Sequence, residues 1–225
     1  MTFRPEALYY LSVAEFISEL QARRGRDLLV FACSGSKRSD EQIEGLSVKV
    51  YPSQVLPLCE DYRRCVARSH RAVTDPSSLE FAACFRYSGV FYQQIPLELW
   101  QELLGWPVLI LSAYYGLIRP TDGIRHYDLS MSRVPKSCKR LLPSSLSEYM
   151  MQERLERALL LTSVTYAEPF SDVKGAYIVE FYEGGRKVSG VFGKDHYRMA
   201  GLLVTSLLEG SLHIRPSVEV SVRRA

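Results

Sequence analysis

Three observations predict an α/β fold, a single domain in which helices flank a mixed β-sheet. Leu28 to Cys33 and Val108 to Leu111 are short continuous apolar runs, with the length and branching of strands buried on both faces. Amphipathic stretches of helical period lie between them. The final third then switches to strand-like segments around Glu183-Gly184-Gly185, the arrangement of a β-hairpin. With 225 residues, 47% hydrophobic and 24% charged, the chain can bury a substantial core. No repeat, low-complexity tract or Gly/Ser/Pro-rich linker divides it, so residues 1–225 read as one domain, with 1–26 as an N-terminal helical extension.

Each element has its own signal. Val13 to Arg23 places Val13, Phe16, Ile17 and Leu20 on one helical face and stops at Gly25. Leu28 to Cys33 is the first core strand, and Leu46 to Tyr51 alternates as a half-buried strand. Pro52 and Pro57 lead into a helix from Leu58 to His70. Thr74 to Ser78 reads as a turn that starts a helix from Leu79 to Tyr87, stopped by Gly89. Pro96 to Leu104 is a short helix with proline in its first turn. A buried strand at Val108 to Leu111 precedes a long helix from Ser145 to Leu160. Ala176 to Tyr182 and Arg186 to Phe192 form the hairpin, Asp195 to Leu208 a helix ended by Gly210, and Val218 to Val222 a last edge strand.

Composition excludes several classes. No run approaches the roughly 20 apolar residues of a membrane span, so no membrane association is expected. Glu6, Glu15 and Glu19 interrupt the N-terminus, unlike a secretory leader, and a cytoplasmic location is expected. Cys33, Cys59, Cys65, Cys84 and Cys138 are odd in number and lack C-x-x-C spacing, which argues against a zinc site and a secreted disulfide framework. Metal-ligand spacing is absent, and neither a metal nor a cofactor is expected. Most of the cysteines read as small buried apolar residues. Cys33, beside Lys37 at the end of a strand, is either a core residue or an activated thiol. The net charge of +3 does not imply nucleic-acid binding, but Arg63, Arg64, Arg68, His70 and Arg71 cluster, as do Arg133, Lys136, Lys139 and Arg140. Either cluster suits a phosphate backbone or a solvated surface.

Chemistry concentrates at two strand ends, where open α/β sheets bind ligands. Ser34-Gly35-Ser36-Lys37 offers backbone N–H groups, two hydroxyls and an ammonium to a phosphate or carboxylate, without Walker spacing. After the Val108 strand come Ser112, Tyr114, Tyr115, Gly116, Arg119, Asp122, His126, Tyr127 and Asp128. Gly116 allows a bend or a close approach, and Tyr114 and Tyr115 offer stacking faces for a base. Arg119 can hold an anion in two contacts. Asp122 is either its loop partner or a general acid/base. His126, with Asp128 two positions on, is the best candidate for proton transfer, and paired acids would also suit N-glycosidic cleavage. No G-x-S-x-G elbow supports a serine hydrolase.

The segment Ser112-Ala113-Tyr114-Tyr115-Gly116-Leu117-Ile118-Arg119-Pro120-Thr121-Asp122, followed by Tyr127 and Met131, resembles the S-G-L-Y-G-x-L-R-P-x-D and Y-R-L-E-M signature of the YaaA family of bacterial peroxide-stress proteins. Collinear echoes run from residue 28 to about 200. Ser34 to Lys37 sits where that family has S-P-A-K, and Tyr87 to Tyr92 resembles F-x-G-x-V-Y. Leu161 to Tyr166 resembles L-A-S-x-E-Y, and Phe181-Tyr182 with Lys187 and Gly190 resembles F-Y…K-x-R-G. Asp128, Ser130, Thr165 and Ser189 stand where the family carries charges of its own, marking a divergent relative.

The resemblance implies a mixed α/β fold with a positively lined cleft, DNA binding and a role in limiting oxidative DNA damage. It also implies that Tyr87, Tyr92, Ser163 and Tyr166 gather round that cleft; Lys194, His196 and Arg198, which open the helix after the hairpin, are placed to supply cations from the opposite wall. The first functional expectation is therefore a DNA- or nucleotide-binding protein, with Lys37 and Arg119 on phosphate. The alternative is a nucleoside- or nucleobase-processing enzyme using Asp122, His126 and Asp128. A small-anion sensor is a third possibility. The sequence leaves catalysis and the oligomeric state open.

Overall fold

In the computed structural model, residues 9–47, 50–70, 73–190 and 193–225 are described. The elements are β1 (Tyr9–Ser12), α1 (Val13–Ala22), β2 (Asp27–Ala32), α2 (Asp40–Glu44), α3 (Glu60–Ser69), β3 (Phe81–Ala82), α4 (Ala83–Arg86), α5 (Val90–Gln93), α6 (Leu99–Leu103) and β4 (Val108–Ser112). Then come β5 (Gly116–Ile118), β6 (Gly123–Ile124), α7 (Lys136–Lys139), α8 (Leu142–Gln152), β7 (Arg157–Leu161), α9 (Val164–Ala167), β8 (Ala176–Glu183), β9 (Arg186–Lys187), α10 (Lys194–Glu209) and β10 (Val218–Arg224).

Among the described residues, eight strands form one mixed sheet in the order β1-β10-β8-β7-β2-β4-β5, with β9 on the end of β8. β2 pairs in parallel with both β4 and β7, and β7 in parallel with β8; the outer pairings are antiparallel. β2, β4 and β7 are buried along their whole length. Strands buried on both faces need helices on both faces. One group, α1, α5, α6 and α10, packs together, while α8 packs on β5. Residues 9–26 are woven into this frame, since β1 pairs with β10 and α1 packs on α10. Ser12 starts α1 with a capping box, its hydroxyl accepting from the Glu15 N–H and the Glu15 carboxylate accepting from the Ser12 N–H.

Several expectations change. The helix predicted for Ser145 to Leu160 is two elements, α8 and the central strand β7. The break is made by Arg154, a non-glycine residue at φ 55°, so no glycine announces it. β7 is anchored at its start by Arg157, whose guanidinium donates to Asp27 at 3.0 Å and to Glu19 at 2.6 Å. The helix predicted for Leu79 to Tyr87 shrinks to α4, because Phe81 and Ala82 pair with Ile124 and Gly123 of β6. Val218 to Val222 is interior rather than edge, lying between β1 and β8. In the segment Leu46 to Tyr51, Val48 and Lys49 lie outside the described residues and the rest form no strand. The second hairpin strand is only Arg186–Lys187, with Val191 and Phe192 outside the described residues.

Cysteine pairing is also corrected. Cys65 of α3 and Cys138 of α7 form a disulfide across 73 residues, while Cys33, Cys59 and Cys84 are free and buried. Spacing gave no sign of it because the pair is brought together by tertiary packing.

Candidate functional site

The connection leaving β2 leads to β4 on one side, and the one leaving β7 leads to β8 on the other. Their diverging loops open a crevice beyond the strand ends, the topological switch point of an open α/β sheet. A cavity of about 870 Å³ occupies it. Ala32 to Ser36 line one wall, Thr162 to Tyr166 another, and Phe91, Tyr92 and Met131 add apolar surface.

The Ser34-Gly35-Ser36 turn is held from behind. Gly89 passes so close that a Cβ there would lie 2.1 Å from Ser34 Oγ, so only glycine lets α5 begin against this turn. Ser34 Oγ accepts the Ser36 N–H at 3.1 Å. Lys37 does not enter the cavity. Its ammonium donates to the Ser34 carbonyl at 3.0 Å and lies 4.0 Å from the centroid of the Tyr127 ring. Burial lowers its pKa below the ordinary lysine range. Tyr92 donates its hydroxyl to the Ala32 carbonyl at 2.9 Å, fixing the end of β2.

On the opposite wall, Tyr166 Oη lies 3.3 Å from Cys33 Sγ, and burial keeps this phenol protonated far above the ordinary range. Ser163 N–H donates to Tyr197 Oη at 3.4 Å. Lys187 and Lys194 bring the cations. Glu180 is neutralised by Lys187 and Arg223; burial alone would raise its carboxyl, yet those two partners hold it below the usual range. His196 is not a cation here. Burial pushes it down to about 4, and its Nε2 has no hydrogen-bond partner among the described residues. Arg198 is exposed and paired with Asp195, away from the cavity.

The signature loop forms the support behind the crevice. Ser112 is fully buried and its Oγ lies 2.9 Å from Tyr127 Oη, which lies 2.9 Å from Tyr87 Oη. Burial holds both phenols protonated. Tyr114 and Tyr115 are half-buried and pack their rings on each other and on Tyr127. Gly116 has φ +76°, and a Cβ there would meet Cys59 at 2.7 Å, so its close approach is to the core. Asp122 is sealed: its carboxylate accepts from the Arg119 N–H and Nε, the Leu56 N–H and Ser53 Oγ. Arg119 also donates to the Gln54 carbonyl and borders a separate hollow with Trp106 and Tyr149. His126 is half-buried and held through its backbone, donating its N–H to Ser78 Oγ at 3.0 Å. Asp128 is exposed, 3.9 Å from Arg133. Asp122, His126 and Asp128 are therefore not brought together at the crevice, whereas Ser34, Gly35, Ser36, Tyr92, Ser163 and Tyr166 are.

Met131, Lys187, Glu180 and Thr162 are crevice residues that the sequence did not single out as such. Thr162 followed the unrecognised strand β7, and Glu180 looked like an ordinary polar position of a hairpin. Beyond Met131 the wall runs into Arg133, whose carbonyl lies 2.9 Å from His70 Nε2. With the Cys65–Cys138 bond, that contact fuses the two basic clusters into one surface carrying Arg64, Arg68, Arg133, Lys136 and Arg140. Arg71 lies outside the described residues. Among those described, no three His, Cys, Asp or Glu side chains group as a metal site would require, and no helix is long and apolar enough to cross a membrane.

Two curated relatives and one family profile are similar to this sequence. A UPF0246 protein of Corynebacterium glutamicum is 33% identical over 159 residues, covering 65% of this chain and 62% of that protein. A second, from C. glutamicum strain R, is 33% identical over 155 residues, covering 64% and 61%. The chain thus spans about three fifths of the length of these relatives. The profile of the family described as "Peroxide stress protein YaaA" matches residues 51–214, which take in the signature loop, β7 and the wall formed by α10. The match covers well over half of the chain, though not β1, β2, β10 or the Ala32 to Ser36 wall of the crevice, and the chain belongs to the peroxide stress protein YaaA family.

Proposed function

We propose that this chain is a nucleic-acid-binding member of its family that seats one nucleotide unit in the crevice and runs the neighbouring phosphates along the fused basic surface. The observation that carries the reading is the cavity of about 870 Å³ at the switch point, a size suited to enclosing a small organic ligand. Phe91, Tyr92 and Met131 supply the apolar surface a base needs, while Ser34, Ser36 and Ser163 border it with hydrogen-bonding groups. Lys187 and Lys194 face the phosphate. The basic surface begins where the crevice wall ends, at Arg133, so a strand leaving the crevice meets positive charge at once. The family is described as a peroxide stress protein, and this reading places the binding in the response to peroxide, in the cytoplasm.

The test is fluorescence-anisotropy titration with single-stranded and duplex oligonucleotides, and with nucleoside monophosphates as competitors. Oligonucleotide affinity should fall by orders of magnitude between about 50 and 200 mM salt. Lys194→Glu should weaken both oligonucleotide and mononucleotide binding. Salt-independent binding, or no binding of either class, would overturn the reading.

A further inference from the structure

The Cys65–Cys138 pair lies outside the crevice and within the basic surface just described, but its own chemistry holds whether or not that surface binds nucleic acid. The two cysteines are placed unequally. Cys138 is fully buried, whereas Cys65 is half-buried and lines a surface cavity of about 370 Å³ with Asp61, Arg64, Arg68, Ser69 and Leu141. Arg64 is paired with Asp61 and Glu60 at this cavity, so Arg68 is the cation that favours the thiolate, the nucleophilic form. A buried thiol next to it is placed to react with whatever the first becomes. The bond is the one covalent tie among the described residues between α3 and α7, the two elements that carry the basic clusters.

We infer that Cys65 and Cys138 form a redox site at which a hydroperoxide oxidises Cys65 within the arginine-walled cavity and Cys138 resolves it, fixing α7 and its basic residues against α3. In the first step the Cys65 thiolate attacks one oxygen of the peroxide. The O–O bond breaks, and the leaving oxygen takes a proton and departs as water when the oxidant is hydrogen peroxide. Cys65 is left as a sulfenic acid. The Cys138 sulfur then attacks Cys65, the S–O bond breaks, and hydroxide leaves with the Cys138 proton as a second water. Two thiols lose two electrons and the peroxide gains them. A dithiol reductant reverses the change.

The experiment uses the full chain, reduced with dithiothreitol, freed of reductant, treated with equimolar hydrogen peroxide, quenched with iodoacetamide and mapped by mass spectrometry. The Cys65–Cys138 cross-link should form, with Cys59 and Cys84 remaining alkylatable after denaturation. In Cys138→Ser, Cys65 should accumulate as a dimedone-trapped sulfenic acid. In Cys65→Ser, Cys138 should stay reduced. Bond formation should slow amide exchange across residues 133–140 by about fivefold or more. Circular dichroism of the two serine variants establishes that they fold, and the wild-type measurements stand without them. The inference is overturned if the cross-link does not form in the folded protein, if Cys138 oxidises as readily without Cys65, or if exchange across residues 133–140 is the same in both states.

Discussion

The Lys37 ammonium lies 4.0 Å from the centroid of the Tyr127 ring, and through this contact the turn after β2 rests on the signature loop after β4. The same ammonium donates to the Ser34 and Gly35 carbonyls, so one side chain ties the turn to itself and to the loop behind it. Lys37 thus shapes the crevice from outside.

Replacing it by methionine keeps bulk and removes the charge. Lys37→Met is expected to lower stability by about 1–2 kcal/mol, the scale of a desolvated cation–π contact. Oligonucleotide affinity should fall about tenfold, or about 1.4 kcal/mol, because the Ser34-Gly35-Ser36 turn loses its brace. Urea denaturation and anisotropy titration read the two effects. Unchanged affinity in a destabilised variant would show that the turn does not contact the ligand.

Asp122 and Asp128 separate a structural acid from a surface one. Asp122 is fully buried beneath four donors, and Asp122→Ala strands the Arg119 N–H and Leu56 N–H. The expected loss is about 1–3 kcal/mol, that of leaving buried donors unsatisfied, because the Arg119 side chain is 40% exposed and keeps water as a partner. Asp128→Ala, at an exposed position, should change stability by no more than about 0.5 kcal/mol. Thermal melts of both variants check this. Near-equal effects would contradict the clasp.

How much of this was legible follows from particular residues. β2, β4, α1 and α10 were readable because burial on both faces or on one helical stripe leaves a direct imprint on residue order. β7 was not, because Arg154 takes a left-handed conformation without the glycine that would mark it, and the leucines of α8 run on into Leu159 to Leu161. At the crevice, the residues legible in the sequence are those that follow the ends of β2 and β7, Ser34, Ser36, Ser163 and Tyr166, which line it. The loop after Ser112 was richer in reactive side chains but faces inward, since which side of a strand-to-strand connection meets solvent depends on the pairing of β4 with β5, invisible in a linear sequence.

Cys33 reports whether the crevice is open. It borders the cavity at 9% exposure, against 1% for Cys59 and for Cys84, whose thiol burial pushes up to about 12. N-ethylmaleimide should therefore modify Cys33 first in the folded, oxidised protein, and a bound mononucleotide should slow it. Peptide mapping over time gives the three rates. Equal reactivity of the three thiols, or a rate at Cys33 unmoved by a ligand shown to bind, would mean that it does not face the ligand.

His196 gives the fold a pH dependence of definite sign. Its folded pKa is pushed down to about 4 by burial, below the ordinary value of 6.5, so between those values the unfolded chain binds a proton that the native protein refuses. Stability from this group is fully present above pH 6.5 and is lost as pH falls toward 4, by about 3 kcal/mol over the window. His196→Gln cannot titrate, so the stability difference between wild type and variant should shrink or reverse as pH falls through this window. Urea denaturation at pH 7 and pH 4.5 reads it directly.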